Sequence, residues 1–317
     1  MEKTGHKGGT DTGAQDHGGG RSLPWQTPKE SCDDPLAPDR VAATMANPSY
    51  RLAEQDLDFL ASDAVRGPRL ELDYLKPELG LQGEGIGHTI VVFGSTRIPE
   101  PDAARRALAA CEEKRDASPG DAEAERAVAI ASRIVEKSRF YVMARDFAHR
   151  VAMAANHGPG ERIAVVTGGG PGLMEAANRG ACEAGGRSVG LNISLPHEQY
   201  PNPYLTPGLC FQFHYFGMRK LHFLQRARAL VAFPGGYGTM DELFETLVLI
   251  QTRKIEPLPV ILVGRDFWSR AIDFGFLVEE GVIAPADREL FAFADSAEDI
   301  FTFIAEWYVR AGKPLFG

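Results

Sequence analysis

The chain has 317 residues, is 44% hydrophobic, and carries 43 acidic against 34 basic side chains for a net charge of −9. That length buries a full core in one large or two small domains. No apolar run reaches the roughly 18 residues of a membrane helix, and the acidic balance argues against a nucleic-acid surface, which needs a cationic field. The four cysteines, Cys32, Cys111, Cys182 and Cys210, are widely spaced and contain no C-x-x-C pair, which speaks against structural zinc or a disulfide framework. With no apolar h-region at the N-terminus, the expectation is a soluble cytoplasmic protein whose cysteines are reduced and mostly buried. A small anion remains an acceptable ligand, because a few amides and one or two basic residues outweigh a distant net charge.

Residues 1–45 are rich in Gly, Asp, Ser, Thr and Pro, too polar to order themselves, and are expected to form a disordered tail. Helical patterns over Tyr50 to Leu60 and near Leu70 to Leu79 predict an N-terminal helical extension over 46–87, closed by the glycine-rich break from Gly80 to Gly87. The core is expected over 88–317. Its first strand is Thr89 to Phe93, running into Gly94, Ser95, Thr96 and Arg97. Helices follow over Pro101 to Lys114 and Asp121 to Asn156, the latter long enough for two helices or one bent one.

Arg162 to Thr167 predicts a second strand, followed at once by Gly168-Gly169-Gly170-Pro171-Gly172 and a helix from Leu173 to the glycine pair at 185 and 186. This is not the dinucleotide fingerprint: Glu175 stands where a third glycine belongs, and Asn192 stands in the next strand, Ser188 to Ile193, where an acid belongs. No G-x-x-x-x-G-K-[ST] occurs either. Pro196 to Pro207 is a loop long enough to be functional or to cover a site. Cys210 to Phe213 reads as a short strand, and a helix from Phe216 to about Arg228 opens with Met218, Arg219 and Lys220. Basic residues at a helix start oppose the dipole and call for an anionic partner, unless they form an ordinary solvated turn.

The strand Ala229 to Phe233 then leads through Pro234 into Gly235, Gly236, Tyr237 and Gly238, and a helix is expected from about Thr239 to Ile250. A strand end, a glycine turn and a helix start together form an anion pocket, because free N–H groups and the positive end of the dipole converge there. Glu242 admits two readings. Thr239-Met240-Asp241-Glu242 fits a T-x-x-E capping box, with the glutamate folded back onto the backbone. Two acids beside a phosphate pocket would repel the guest, however, which favours a separate task for Glu242. The remaining pattern predicts a strand at Leu258 to Val263, a helix at Phe267 to Glu279, a short strand near Leu290 to Ala294, and a last helix from Ser296 to Arg310 with Ser296 and Asp299 forming its cap. This alternation predicts an α/β, Rossmann-like doubly wound parallel sheet with helices on both faces and the ligand beyond the strand C-termini.

With PGGYGTMDE (Pro234 to Glu242), GGGPGLMEAANRG (Gly168 to Gly180) and Met218-Arg219-Lys220 in order, the chain resembles the LOG ("lonely guy") family of cytokinin riboside 5′-monophosphate phosphoribohydrolases, often mislabelled lysine decarboxylases. The resemblance runs from about residue 89 to 310, and the longer N-terminus and helical insert look like the larger bacterial type. It implies hydrolysis of the N-glycosidic bond of a purine nucleoside 5′-monophosphate, AMP or an N6-modified AMP, with no cofactor and no metal. It also implies a homodimer or higher homo-oligomer whose sites border the partner chain. Arg219 and Glu242 match the family's catalytic pair. Gly235, Gly236, Tyr237, Gly238 and Thr239 match its phosphate loop, Gly94 and Ser95 its nucleotide-binding turn, and Gly169, Gly170, Met218 and Lys220 further substrate contacts. Lysine decarboxylation would need a pyridoxal phosphate lysine, and nothing around Lys220 or Lys254 presents one. A carrier of a phosphate-bearing ligand, as in molybdenum cofactor carriers of this fold, or a nucleotide sensor are the competing readings.

Overall fold

A computed structural model describes residues 26–155, 162–196 and 200–316. The chain divides into two compact units, one ending at Arg66 and the other beginning at Gly67. In the first lie α1 (Ala37–Ala46) and α2 (Leu57–Ala61), with short 3-10 turns between them. Helix α1 falls almost wholly inside the stretch expected to lack order: a proline in its first turn and four alanines favour helix there. The first 25 residues of that stretch lie outside the described residues.

The second unit takes almost all of α3 (Arg66–Gly83), a helix the sequence assigns to the extension. Then come β1 (Ile86–Phe93), α4 (Pro101–Ala117), α5 (Ala122–Lys137), α6 (Arg139–Ala155), β2 (Arg162–Thr167), α7 (Leu173–Glu183), β3 (Ser188–Ile193) and β4 (Cys210–Phe213). The chain continues through α8 (Phe216–Gln225), β5 (Ala227–Ala232), α9 (Tyr237–Gln251), β6 (Val260–Val263), α10 (Arg265–Ala271), α11 (Phe274–Glu279), β7 (Ala292–Ala294) and α12 (Ala297–Arg310).

The long stretch before β2 is two helices, one of the two forms its length allowed, and it breaks at Ser138, whose N–H is shared between the Ile134 and Val135 carbonyls. Other helix boundaries depart from the periodicity. Helix α8 stops three residues early, because Ala227 already pairs with Thr89 in the sheet. Phe267 to Glu279 is two helices, since Ile272 is extended and the Asp273 carboxylate restarts the helix by accepting the Phe276 N–H. The last helix starts as expected, with Ser296 Oγ accepting the Asp299 N–H at 3.0 Å. The cysteines are free, as expected, but not mostly buried: Cys32, Cys182 and Cys210 are exposed and Cys111 is half-buried.

The seven strands of the described residues run parallel in the order β4-β3-β2-β1-β5-β6-β7. The near-continuous apolar sequence of β1, β2, β3, β5 and β6 follows from this, because both of their faces are covered, while the edge strand β4 alternates exposed and buried residues. Alternate residues go to opposite sides. Ile90 and Val92 of β1 and Ala229 and Val231 of β5 pack with α6, α7 and α12. Val91 and Phe93, with Leu230 and Ala232, pack with α3, α8, α9, α10 and α11 on the other face. The chain winds outward from β1 to β4, then returns to place β5 on the opposite side of β1. That reversal opens a crevice beyond the carboxyl ends of β1 and β5, because the connections leave the two strands in opposite directions.

Helices α6 and α7 approach closely at Gly180, where a Cβ would collide with the Arg145 carbonyl oxygen. Backbone on both sides cannot yield as a flexible side chain could. Gly180→Ala is therefore expected to destabilise the fold by about 2–3 kcal/mol, read as a lowered midpoint in urea at unchanged slope. Among the described residues no helix is long and apolar enough to cross a membrane.

Candidate active site

A cavity of about 590 Å³ occupies the crevice between β1 and β5. Each wall comes from the end of a strand, from the loop that follows it, or from the first two turns of a helix. Phe93, Gly94, Ser95, Thr96 and Arg97 continue β1, and Gly168 follows β2. Ile193 and Leu195 end β3, and Met174 comes from α7. Phe216 and Arg219 come from α8, and Gly236, Tyr237, Gly238, Thr239, Asp241 and Glu242 from the start of α9. Of the residues expected in the site, Gly94, Ser95, Arg219, Gly236, Tyr237, Gly238, Thr239 and Glu242 are brought together here.

The others lie behind the wall. Gly235 turns tightly against Thr239, where a Cβ would collide with Thr239 Oγ1. Gly169 and Gly170 turn their carbonyls away, to the Asn202 N–H (2.8 Å) and Asn202 Nδ2 (3.1 Å). Gly169 has φ +71 and no room for a Cβ against Asn192, so glycine is required for conformation and space together. Behind this loop runs a buried chain of hydrogen bonds: Thr167 Oγ1 donates to Asn178 Oδ1 (2.6 Å), and Asn178 Nδ2 donates to Ser188 Oγ (2.8 Å). Asn202 Nδ2 also donates to Asn178 Oδ1 at 2.8 Å, so Asn202 anchors the glycine turn. Met218 packs into the core under the sheet, and Lys220 is engaged with carboxylates.

Helix α9 begins two residues earlier than its pattern suggests. Gly236 is its N-cap, without a side-chain capping bond, and Thr239 is already helical. The capping-box reading of Glu242 is thereby overturned: Thr239 is not at the N-cap, and Glu242 lies more than a turn inside the helix. Its residue is 6% exposed. Burial pushes its carboxyl up to about 7, against the pull of Lys220 and Arg219, while Glu245 and Asp241 push the same way as burial. A carboxyl group poised between charged and neutral at neutral pH is the state suited to proton exchange with a substrate.

Arg219 is the opposite member of the site. Its guanidinium lies over the rings of Phe223 (5.2 Å) and Phe216 (5.8 Å). Its Nε is buried without a hydrogen-bond partner, and burial lowers its pKa, with Glu242 and then Asp241 opposing. A cation so placed leaves donors unsatisfied until an anion arrives. Helix α8, which carries it, is held by α3. The Asp73 carboxylate accepts the N–H groups of His214 (3.0 Å) and Tyr215 (2.9 Å) just before the helix, and Glu78 takes Arg226 in two bonds of 2.6 and 2.7 Å at its end. Neither Asp73 nor Glu78 carries a local sequence signal, because each acts on a partner more than 140 residues away.

Sequence reasoning also missed the apolar wall formed by Met174, Ile193, Leu195 and Phe216, and passed over Arg97. These residues flank motif positions, and their neighbourhood in the chain was the available signal. Among the described residues no group of three or more His, Cys, Asp or Glu is placed to hold a metal ion.

Comparison with known proteins follows the same residues. A family model described as "possible lysine decarboxylase" matches residues 174–304. Two Arabidopsis thaliana cytokinin riboside 5′-monophosphate phosphoribohydrolases are similar. One is 30% identical over 150 residues, covering 46% of this chain and 68% of that protein. The other is 32% identical over 151 residues, covering 46% and 68%. Two Oryza sativa subsp. japonica relatives are 32% identical over 58% and 62% of their length, so the chain spans about three fifths of those proteins. A solved structure of the Moco carrier protein from Chlamydomonas reinhardtii is 20% identical with a TM-score of 0.41, covering 70% of this chain and 98% of that one. With its parallel α/β sheet, its P-G-G-x-G-T-x-x-E turn and these relatives, the chain belongs to the LOG family.

Proposed function

We propose that the protein hydrolyses the N-glycosidic bond of a purine nucleoside 5′-monophosphate, releasing the free base and ribose 5-phosphate. One observation carries this reading: a guanidinium with unsatisfied donors, Arg219, and a buried carboxyl group poised near neutral pH, Glu242, line one cavity at the start of a helix. The names of the curated relatives support the same chemistry. The 5′-phosphate is taken by the amides of Gly236, Tyr237 and Gly238 at the positive end of α9, with Arg219 and Arg97 as the cations within the cavity. This grip fixes the ribose against Glu242, so that binding energy from the remote phosphate lowers the barrier at the sugar.

As the C1′–N9 bond breaks, its electron pair leaves with the purine, which takes up a proton, and positive charge builds on the ribose. The Glu242 carboxylate stabilises that charge and accepts a proton from the water that adds to C1′. Met174, Ile193, Leu195 and Phe216 offer the departing base an apolar wall. The test is incubation of the pure protein with AMP and N6-substituted AMPs, with chromatographic detection of base and ribose 5-phosphate. No product from any of these monophosphates would overturn the reading, and tight nucleotide binding without product would support a sensor in its place.

A second copy of the chain is the proposed partner. Phe216, Leu221, Tyr237, Phe244 and Val248 expose apolar surface on α8 and α9 beside the cavity, Tyr237 to 94%. Contiguous apolar surface of this kind marks association, and a two-fold contact would repeat it on both protomers. Phe244→Glu is expected to halve the mass measured by light scattering, with the circular dichroism spectrum unchanged.

A further inference from the structure

Lys220 stands beside the catalytic arginine in sequence but is absent from the cavity wall. Its Nζ lies 2.7 Å from Asp241, 3.0 Å from Glu245 and 3.8 Å from Glu242, so three carboxylates of α9 converge on one ammonium from α8. Its side chain is 18% exposed, against 59% for Asp241. The two shorter contacts use two of its three donors, and Glu242 lies beyond hydrogen-bond reach and feels the charge alone.

We propose that Lys220 is a positioning residue that neutralises Asp241 and Glu245, so that the start of α9 stays attractive to a phosphate and Glu242 is the one acid of that turn left to act on the sugar. This rests on the hydrolase reading above. The physical need is plain. A helix N-terminus carries roughly half a positive charge, and three carboxylates in the first turns would more than cancel it. The charged groups facing Glu242 are Lys220 and Arg219 from α8 and Asp241 and Glu245 from α9. Arg219 is turned into the cavity for the substrate, so Lys220 is the cation left to balance the helix. Lys220 itself is held in its charged form, because the carboxylates outweigh its burial.

The decisive variants are Lys220→Met, Lys220→Arg, and Lys220→Met combined with Asp241→Asn and Glu245→Gln. The primary readout is the titration of Glu242 by carbon-13 NMR in glutamate-labelled protein, assigned by its loss in Glu242→Gln. This readout does not depend on turnover. Lys220→Met is expected to raise the Glu242 midpoint by about one pH unit or more, and the combined variant is expected to return it towards the parent value. Lys220→Arg keeps it there. Melting curves and light scattering confirm that each variant is folded and of unchanged mass.

In the kinetic arm, Lys220→Met is expected to lose about tenfold in kcat/KM below the parent midpoint, where kcat/KM is proportional to the ionised fraction, with a smaller loss at high pH and a raised Kd for inorganic phosphate, both restored in the combined variant. A Glu242 midpoint unmoved by Lys220→Met would overturn the proposal. So would a rise in the Kd for inorganic phosphate that the combined variant does not reverse, which would make Lys220 a phosphate ligand. If no monophosphate is hydrolysed by the parent protein, the hydrolase reading fails while the NMR titration still decides the role of Lys220.

Discussion

Glu242→Gln is expected to reduce turnover by at least about a thousandfold, because the amide neither balances an oxocarbenium charge nor accepts a proton. The same substitution should make the fold more stable above neutral pH. Burial raises the carboxyl from the ordinary 4.5 to about 7, so the folded protein holds a proton that the unfolded chain has already released. The stabilisation from that proton is complete below about pH 4.5, declines as pH rises through 7 and is absent above it. Glutamine lacks this dependence, and the difference in unfolding free energy between pH 4.5 and pH 8.5 should be up to about 3 kcal/mol smaller in the variant. Urea titrations across this range measure it. In the parent protein kcat/KM should rise with pH about a midpoint near 7, roughly a unit above the ionisation of a phosphate monoester at about 6. A parent rate profile flat from pH 5 to 9, or a variant that keeps full activity, would remove Glu242 from the chemistry.

Arg219→Met is the second large effect. The guanidinium spans two aromatic rings and keeps a buried donor free, an arrangement suited to an anion entering the cavity. Loss of kcat/KM of at least about a hundredfold is expected, together with a loss of affinity for ribose 5-phosphate of at least about tenfold, measured by calorimetry. Arg219→Lys should recover little, because an ammonium neither spans the two rings nor offers a planar fork to phosphate. The melting temperature should hold or rise, since methionine fills the same space between Phe216 and Phe223 without an unsatisfied donor. A fall in melting temperature with ribose 5-phosphate affinity intact would instead make Arg219 a structural residue.

Both substitutions are expected to remove function while relieving the fold. Glu242 is held in a place that disfavours its charge, and Arg219 in a place that leaves a donor bare. Such conflicts mark a site, because packing alone would select residues that avoid them.

How far these features were legible in the chain depends on the range of the interaction that creates them. Arg162–Thr167, Ser188–Ile193 and Cys210–Phe213 are strands where the apolar runs put them, because a strand in a covered parallel sheet needs only local apolar sequence and a turn to end it. The glycine turn at Gly235 to Gly238 and the helix after it were legible for the same reason, and they carried the anion pocket, Arg219 and Glu242 into view. The start of α9 was misplaced by two residues. A capping box and a glycine N-cap compete within one short segment, and burial of Thr239 and Glu242 against the sheet chose between them.

What the tertiary structure alone decided is which charges meet. In the chain Lys220 stands beside Arg219 and looks like a second phosphate ligand, yet packing of α8 against α9 turns it to three carboxylates and leaves Arg219 to the cavity. Gly169 and Gly170 look like ligand contacts until Asn202 claims their carbonyls. Local sequence determines where backbone turns and helices begin, because those forces act over a few residues. The pairing of side chains over 25 to 150 positions depends on where the sheet sets each helix, and no local pattern encodes it.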